Sequence, residues 1–452
     1  METPHIVIVG GGFGGLDAAR IFNRAPVRVT LLDRHNHHVF QPLLYQVATA
    51  ALSPGDIASP IRWILRHQKN VEVFLADVRS VDMARRLVLT DRDPVPYDYL
   101  IIATGAAHAY FGHPQWSRRA PGLKTIDDAL EMRRRMLLAF EAAERVEDPA
   151  EQRRLLTFVI VGGGPTGVEL AGALAEIARQ TLRDDFRHID PASSRIVLLE
   201  AGPHVLPTFP ESLRHRARVS LEKLGVEVRT GTGVTDVDEV GVKAAGEHIP
   251  AETVFWAAGV AASPLGAALG LPLDRAGRVV TEKTLAVPGH PEIFIAGDLC
   301  SFQQDGRPLP GVAQVAKQQG KHAARNVLHA IRREPLEPFR YFNLGNVAVI
   351  GRGSAVVDIG PVPVRLSGWF GWVFWLLLHI FWLIGFRNRF VVLSEWAWAY
   401  VTFQRRIRLI TGEHLWPRSL TDKNLTAADR AQLEALAKRE ERVEQQTVEV
   451  DF

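Results

Sequence analysis

The sequence predicts an α/β fold in which one βαβ element occurs twice, followed by a C-terminal region of different character. Three observations carry this. A short β-branched run, Ile6-Val7-Ile8-Val9, leads into glycines, a helical pattern to about Arg24 and a second apolar run, Val27 to Leu32. The same order recurs about 150 residues downstream in Phe158 to Val161, Gly162 to Ile177 and Ile196 to Leu199. Most of the ten tryptophans fall between Trp369 and Trp416, so composition changes near the C-terminus.

The chain has 452 residues, more than one hydrophobic core normally organises. Lys and Arg number 53 against 50 Asp and Glu, a net +3 that gives no case for nucleic acid as a partner. Cys300 is the single cysteine, which excludes an intrachain disulfide and a cysteine-rich metal site. It follows an apolar strand and reads as an inert buried thiol. Met1 to His5 run straight into the first strand without a basic, apolar and cleavable leader. That places the catalytic part on the cytoplasmic side.

The first glycine run, Gly10-Gly11-Gly12-Phe13-Gly14-Gly15, fits GxGxxG at Gly10, Gly12 and Gly15. Gly10 permits the tight turn, Gly12 lets backbone approach a pyrophosphate, and Gly15 lets the helix pack on the strand. The helix start adds free N–H groups and a positive dipole end. Asp33 ends the second strand, where a carboxylate accepts from ribose hydroxyls. Strand, glycines, helix, strand and acid in this order make a Rossmann-like dinucleotide site.

The second run, Gly162-Gly163-Gly164-Pro165-Thr166-Gly167-Val168-Glu169, fits at Gly162, Gly164 and Gly167. Glu200 ends the strand that follows, and a carboxylate there favours a free 2′-OH, hence NADH over NADPH. A solvated strand-end acid is the other reading of Glu200. Arg195 precedes that strand and is poorly placed to hold a 2′-phosphate. Glu169, near the helix start, either points at the reacting groups or simply answers the helix dipole. Three further strands end in small residues: Leu100 to Gly105, including Ala103 and Thr104; Val254 to Gly259, including Ala258; and Ile293 to Asp298, ending Gly297-Asp298. An aspartate at the last position can bind a ribityl hydroxyl.

With these residues in view, the chain resembles the two-dinucleotide-domain flavoproteins of the pyridine nucleotide-disulfide oxidoreductase superfamily. More closely, it resembles the type II, non-proton-pumping NADH dehydrogenases. Three stretches carry the resemblance: Asp33 to Thr49, Gly163 to Glu169, and Ala313-Gln314-Val315-Ala316-Lys317-Gln318-Gln319-Gly320. It covers roughly residues 5 to 412. It implies that Gly10, Gly12, Phe13, Gly14, Gly15, Asp33, Ala103, Thr104, Gly105, Gly297, Asp298 and Val315 hold FAD. Asp33 stands where the wider superfamily commonly has the longer glutamate. It implies that Gly164, Gly167, Glu169, Glu200, Ala258 and Gly259 contact NADH, and that Gln314 and Gln318 line the quinone side. Both glutamines equally read as caps or packing at a helix start. Lys317 reads either as a cation facing the flavin or as a solvated lysine. The resemblance assigns Glu169, Gln314 and Gln318 to catalysis, with no metal. The lone cysteine separates the chain from relatives that need paired cysteines for sulfur chemistry.

Leu366 to Phe386 contains no Lys, Arg, Asp or Glu. As one helix it would be about 31 Å long, enough to cross a bilayer core; a buried core or dimer-interface helix is the alternative. A single crossing would put Arg387, Arg389, Arg405, Arg406 and Arg408 on the outer side, against the positive-inside tendency. Val391 to Phe403 is too short for a second crossing and contains Glu395. The expectation is therefore a two-helix hairpin lying in or on one leaflet of the cell membrane, in contact with lipid. A homodimer through this region is compatible with the pattern.

Pro335 and Pro338 bracket a linker, Tyr341 to Asp358 reads as a hairpin or small sheet, and Thr426 to Gln446 reads as an exposed amphipathic helix. The expected division is 1–155 (FAD, first part), 156–275 (NADH), 276–335 (FAD, second part) and 336–452 (small sheet and membrane-anchoring helices). The expected reaction is oxidation of NADH by FAD with two electrons passed to a quinone, without proton pumping. Two rivals remain: reduction of a small iron–sulfur protein, and a non-catalytic membrane flavoprotein that senses NADH.

Overall fold

The computed structural model describes residues 3–360, 362, 364–402 and 407–411. The predicted 426–446 helix lies outside them.

Helix α1 (Phe13–Ile21) follows the first strand, His5–Val9, and feeds the second, Arg28–Asp33. It ends three residues before Arg24, where the backbone turns left-handed at φ 66°. The segment after Asp33 forms a short helix, α2 (Leu44–Ala48), and leads to the one-turn helix α3 (Ile61–Ile64). These strands belong to a six-stranded sheet ordered 286–287, 290–295, 99–102, 5–9, 28–33, 71–75. All but the first of these run parallel. Their near-continuous burial explains the unbroken apolar runs.

Helix α4 (Ile126–Glu144) starts at a capping box between Thr125 and Asp128. It packs against α2, and its buried Arg133 donates to the carbonyls of Val47 and Leu52. Burial lowers the Arg133 pKa to about 10. The second βαβ unit follows: Thr157–Val161, α5 (Pro165–Glu176) and Arg195–Glu200, in a parallel sheet ordered 226–230, 195–200, 157–161, 253–256. Register repeats between halves, with Val9 opposite Leu32 and Val161 opposite Leu199. The chain returns to the first sheet through His290–Ile295, then forms α6 (Ala313–Ile331) against α1.

The stretch expected to be a hairpin or small sheet is a three-stranded antiparallel sheet, Asn346–Gly351, Ser354–Ile359 and Val364–Ser367. It lies on α5 at contact distance: a Cβ on Gly172 would sit 1.6 Å from the Ile350 carbonyl oxygen. Helix α7 (Gly368–Trp382) then packs on this sheet through Gly371, and α8 (Phe386–Thr402) turns back beside it.

The expectation of a 31 Å helix over Leu366 to Phe386 is corrected here. The chain leaves helical geometry at Leu383 (ψ 133°) and turns at Gly385 (φ 92°). Helix α7 has 15 residues, about 22 Å, and among the described residues no helix is long and apolar enough to cross a membrane. Arg389 closes the turn by donating to the Leu383 and Phe381 carbonyls at the end of α7. The cation therefore serves a helix C-terminus, which its charge favours. The two-helix hairpin expected from the sequence is present, with its second helix beginning earlier than Val391.

Candidate active site

The two glycine runs form the same cradle twice. Gly10 (φ 101°) and Gly162 (φ 109°) adopt conformations that side chains rarely adopt, and a Cβ would lie 2.4 Å from the Ala103 oxygen or 2.5 Å from the Ala257 oxygen. A Cβ on Gly15 or Gly167 would lie 1.8 Å from the carbonyl oxygen of Gly10 or Gly162. Gly12 and Gly164 face open space, which leaves the backbone accessible to a phosphate. The strand-end acids also match. Asp33 accepts from Gly11 N at 2.5 Å and His35 N at 2.7 Å; Glu200 accepts from Gly163 N at 2.5 Å and Gly202 N at 2.6 Å.

A cavity of about 780 Å³ opens over the first cradle. That is in the upper range of ligand sites. Gly10, Gly12, Phe13, Gly14, Asp33, Ala103, Thr104, Gly105, Gly297 and Asp298 line it. Gly15 lies beneath, as its packing role requires, and Val315, on α6 itself, is buried in the core. Two buried polar atoms at this cavity, Thr104 Oγ1 and His38 Nε2, have no hydrogen-bond partner among the described residues. His38 Nδ1 lies 3.1 Å from the Gly11 carbonyl, and burial lowers the ring's pKa to about 4. The imidazole is thus neutral, donates through Nδ1 and presents Nε2 as an acceptor. Open backbone at Gly12, orphaned polar atoms, a strand-end carboxylate and a cavity of this volume together fit an adenine dinucleotide such as FAD.

Beyond the second cradle, Gly259 adopts φ 138°, close under the Phe111 ring, and Ala258 precedes it. Val260–Ala262 pairs antiparallel with Ala106–His108, which joins the turn after Gly259 to the turn after Gly105. The two nucleotide cradles are thereby tied edge to edge.

Glu169 lines a second, smaller cavity of about 120 Å³, with Tyr45, Gln46, Trp375 and Trp396. Its surroundings push its carboxyl pKa well above the usual range, chiefly by desolvation, with only the Val349 N–H at 3.5 Å to oppose it. That environment favours the protonated, uncharged form of the carboxyl. Trp375 Nε1 is buried here without a partner among the described residues. Trp396 of α8 donates to Gln46 at 2.7 Å, and Gln46 donates to the Tyr45 hydroxyl at 2.8 Å. The hairpin thus closes one side of this cavity.

Gln314 and Gln318 lie on neither lining. Each binds backbone on the approach to Asn346–Gly351: Gln314 donates to Gly345 O and accepts from Leu344 N, while Gln318 donates to Phe342 O and accepts from Phe342 N. Lys317 lies between Asp17, 3.7 Å away, and the Phe13 and Trp382 rings, at 6.0 and 5.0 Å. It is one ring removed from the large cavity. Cys300 is buried beside Thr281, and desolvation pushes its thiol up to about 12, as befits an unreactive sulfur.

Two residues escaped the sequence reading. Gln319, buried, accepts from Gly297 N at 2.8 Å and so holds the Gly297-Asp298 turn. Its place beside Gln318 in the quoted motif was the available signal. Lys124 lines the large cavity, its pKa lowered by burial and partly restored by Asp298 and Asp128. Its backbone is fixed from both sides, by Asp128 accepting from its N–H at 2.9 Å and Gln41 donating to its carbonyl at 3.4 Å. Only its position just before the Thr125 capping box could have drawn attention to it.

The fold and paired cradles define a two-site dinucleotide flavoprotein, and residues 4–320 match the family model for pyridine nucleotide-disulphide oxidoreductases. The chain is 44% identical over 444 residues to the type II NADH:quinone oxidoreductase Ndh of Mycobacterium tuberculosis, covering 95% of each chain. It is 46% identical over 432 residues to NdhA of the same organism, covering 92% of this chain and 91% of that one. The chain therefore belongs to the type II NADH:quinone oxidoreductases within that wider family. Its fold also matches NDH2 of Plasmodium falciparum, solved with NADH, at a TM-score of 0.82 and 20% identity, covering 91% of this chain and all of that one.

Proposed function

We infer that the protein oxidises NADH with bound FAD and passes two electrons to a quinone without pumping protons. The observation that carries this is the duplicated cradle in a chain similar over most of its length to type II NADH:quinone oxidoreductases. FAD, when bound, accepts a hydride from NADH and returns two electrons to the acceptor. Gly12 and the start of α1 would take the diphosphate, Asp33 the adenosine ribose and Asp298 the ribityl chain. Thr104 and His38 supply buried polar atoms along the same cavity. Lys124 would add a cationic side chain to the same cavity, near Asp298. Gly164 and Gly167 would take the NADH diphosphate, Glu200 the ribose 2′-OH, and Ala258 and Gly259 the nicotinamide end.

The quinone ring would approach through the aromatic cavity of Tyr45, Trp375 and Trp396, where Glu169, its carboxyl pKa raised by desolvation, would hand a proton to the reduced oxygen. Gln314 and Gln318 then act as positioning residues, because the 342–345 backbone they hold leads into the strand carrying Val349. The proposed division into units at 155, 275 and 335 follows this assignment of ligands. Membrane attachment uses one face of the α7–α8 hairpin, with the dinucleotide cradles on the cytoplasmic side. Phe370, Phe381 and Phe390 are 71, 72 and 66% exposed, an unusual cost unless lipid covers them.

The test is stoichiometry in detergent. One quinol should form for each NADH consumed, with NADPH a poor substitute. NADH consumption without quinol, or equal use of NADPH, would refute the reading.

A further inference from the structure

We propose that the exposed basic face of residues 62–69 is a second membrane contact, recognising the anionic headgroups of lipids. This rests on the reading that the α7–α8 hairpin lies on a membrane, and extends it to the FAD-side domain. Ile61, Leu65 and Gln68 point into the core, while Arg62, Trp63, Arg66, His67 and Lys69 are exposed. Arg62, Arg66 and Lys69 are in no ion pair among the described residues. Glu72 is the acid nearest in sequence, and it shares a surface hollow of about 330 Å³ with Arg62, Arg66 and Phe74. An excess of unpaired cations around an exposed indole suits a surface of negative headgroups.

The placement of Trp63 gives the second argument. Its indole is 46% exposed, with the Arg66 guanidinium 4.1 Å above the ring. A Cβ on Gly385, at the hairpin turn, would lie 3.7 Å from the same indole. Asn388 of α8 reaches Ser59 at 3.5 Å. The basic face is therefore continuous with the hairpin, whose exposed Phe381 and Phe390 flank the turn. A tryptophan beside arginines at the margin of an apolar patch is the arrangement expected at headgroup level. The hairpin would supply apolar insertion, and Arg62, Arg66 and Lys69 would supply lipid selectivity.

The test uses the full-length, FAD-loaded protein and sedimentation with vesicles of phosphatidylcholine alone or mixed with phosphatidylglycerol. The wild type should prefer the anionic vesicles. Arg62→Gln/Arg66→Gln should lose about fivefold in affinity per arginine on anionic vesicles, change little on neutral ones, and keep NADH oxidation with a water-soluble quinone. Equal binding of wild type and double variant to anionic vesicles would overturn the proposal. So would a change in the variant's oligomeric mass without lipid, since that assigns the face to a second copy. Failure of the wild type to bind either vesicle would overturn the proposal together with the hairpin reading on which it rests.

Discussion

A Cβ at Gly15 or Gly167 has no room, because the opposing atom is a backbone oxygen at 1.8 Å in each half. The same substitution therefore separates the two sites. Gly15→Ala should purify largely without FAD, whereas Gly167→Ala should retain the flavin spectrum and lose at least tenfold in kcat/KM for NADH. Absorbance and steady-state kinetics check both, and equal flavin loss in the two variants would contradict the assignment. Glu200 makes a different prediction. Glu200→Ala should reduce NADH use by about 1–3 kcal/mol of transition-state binding and narrow the gap to NADPH, read as the ratio of kcat/KM values. Glu169 bears on pH. Its pKa is raised in the fold, so its contribution is complete at acid pH and falls as pH rises past the ordinary carboxylate value. Thermal unfolding across pH should show wild-type stability falling by up to about 1.4 kcal/mol per pH unit in that window. Glu169→Gln should be flatter, and parallel curves would refute a raised pKa.

At the scale of elements, the hairpin is held by a few polar anchors within an apolar interface. Trp375, Leu383 and Val392 are buried in the same core as α2, α4 and the three-stranded sheet. His379 donates to the Trp375 carbonyl at 2.7 Å, and burial lowers its pKa to about 4. A histidine with a lowered pKa supports the fold fully above its ordinary value near 6.5 and loses that support as pH falls towards 4. Protease sensitivity of the α7–α8 turn should therefore rise between pH 6.5 and 4, and His379→Phe should suppress the rise. A pH-independent digestion rate in the wild type would contradict this. The sequence made both βαβ units legible, because buried parallel strands write unbroken apolar runs and tight turns demand glycine at fixed spacing. It misjudged Leu366 to Phe386, because apolar composition there continues through a break made by backbone geometry at Leu383 and Gly385. Gln314 and Gln318 show the limit for side chains. Residue type at a helix start does not say whether an amide meets a ligand or a neighbouring loop, and here both amides meet residues 342–345. Lys124 lay outside any pattern because only tertiary folding brings the start of α4 to the large cavity.

Across the whole molecule, the paired turns after Gly105 and Gly259 join the two cradles, and the hairpin reaches α2 through Trp396 and Gln46. Nucleotide cradles, aromatic cavity and exposed apolar hairpin thus form a continuous series across the molecule. That arrangement suits a hydride donor dissolved in water and an acceptor dissolved in lipid. Central to this account is that one flavin is reduced by NADH and reoxidised by quinone. Anaerobic double-mixing stopped-flow follows both halves in one experiment. Oxidised-flavin absorbance should bleach on mixing with NADH and recover on mixing with a soluble quinone, each at least as fast as turnover. Bleaching followed by quinone recovery slower than turnover, with fast recovery on an iron–sulfur protein, would contradict the account.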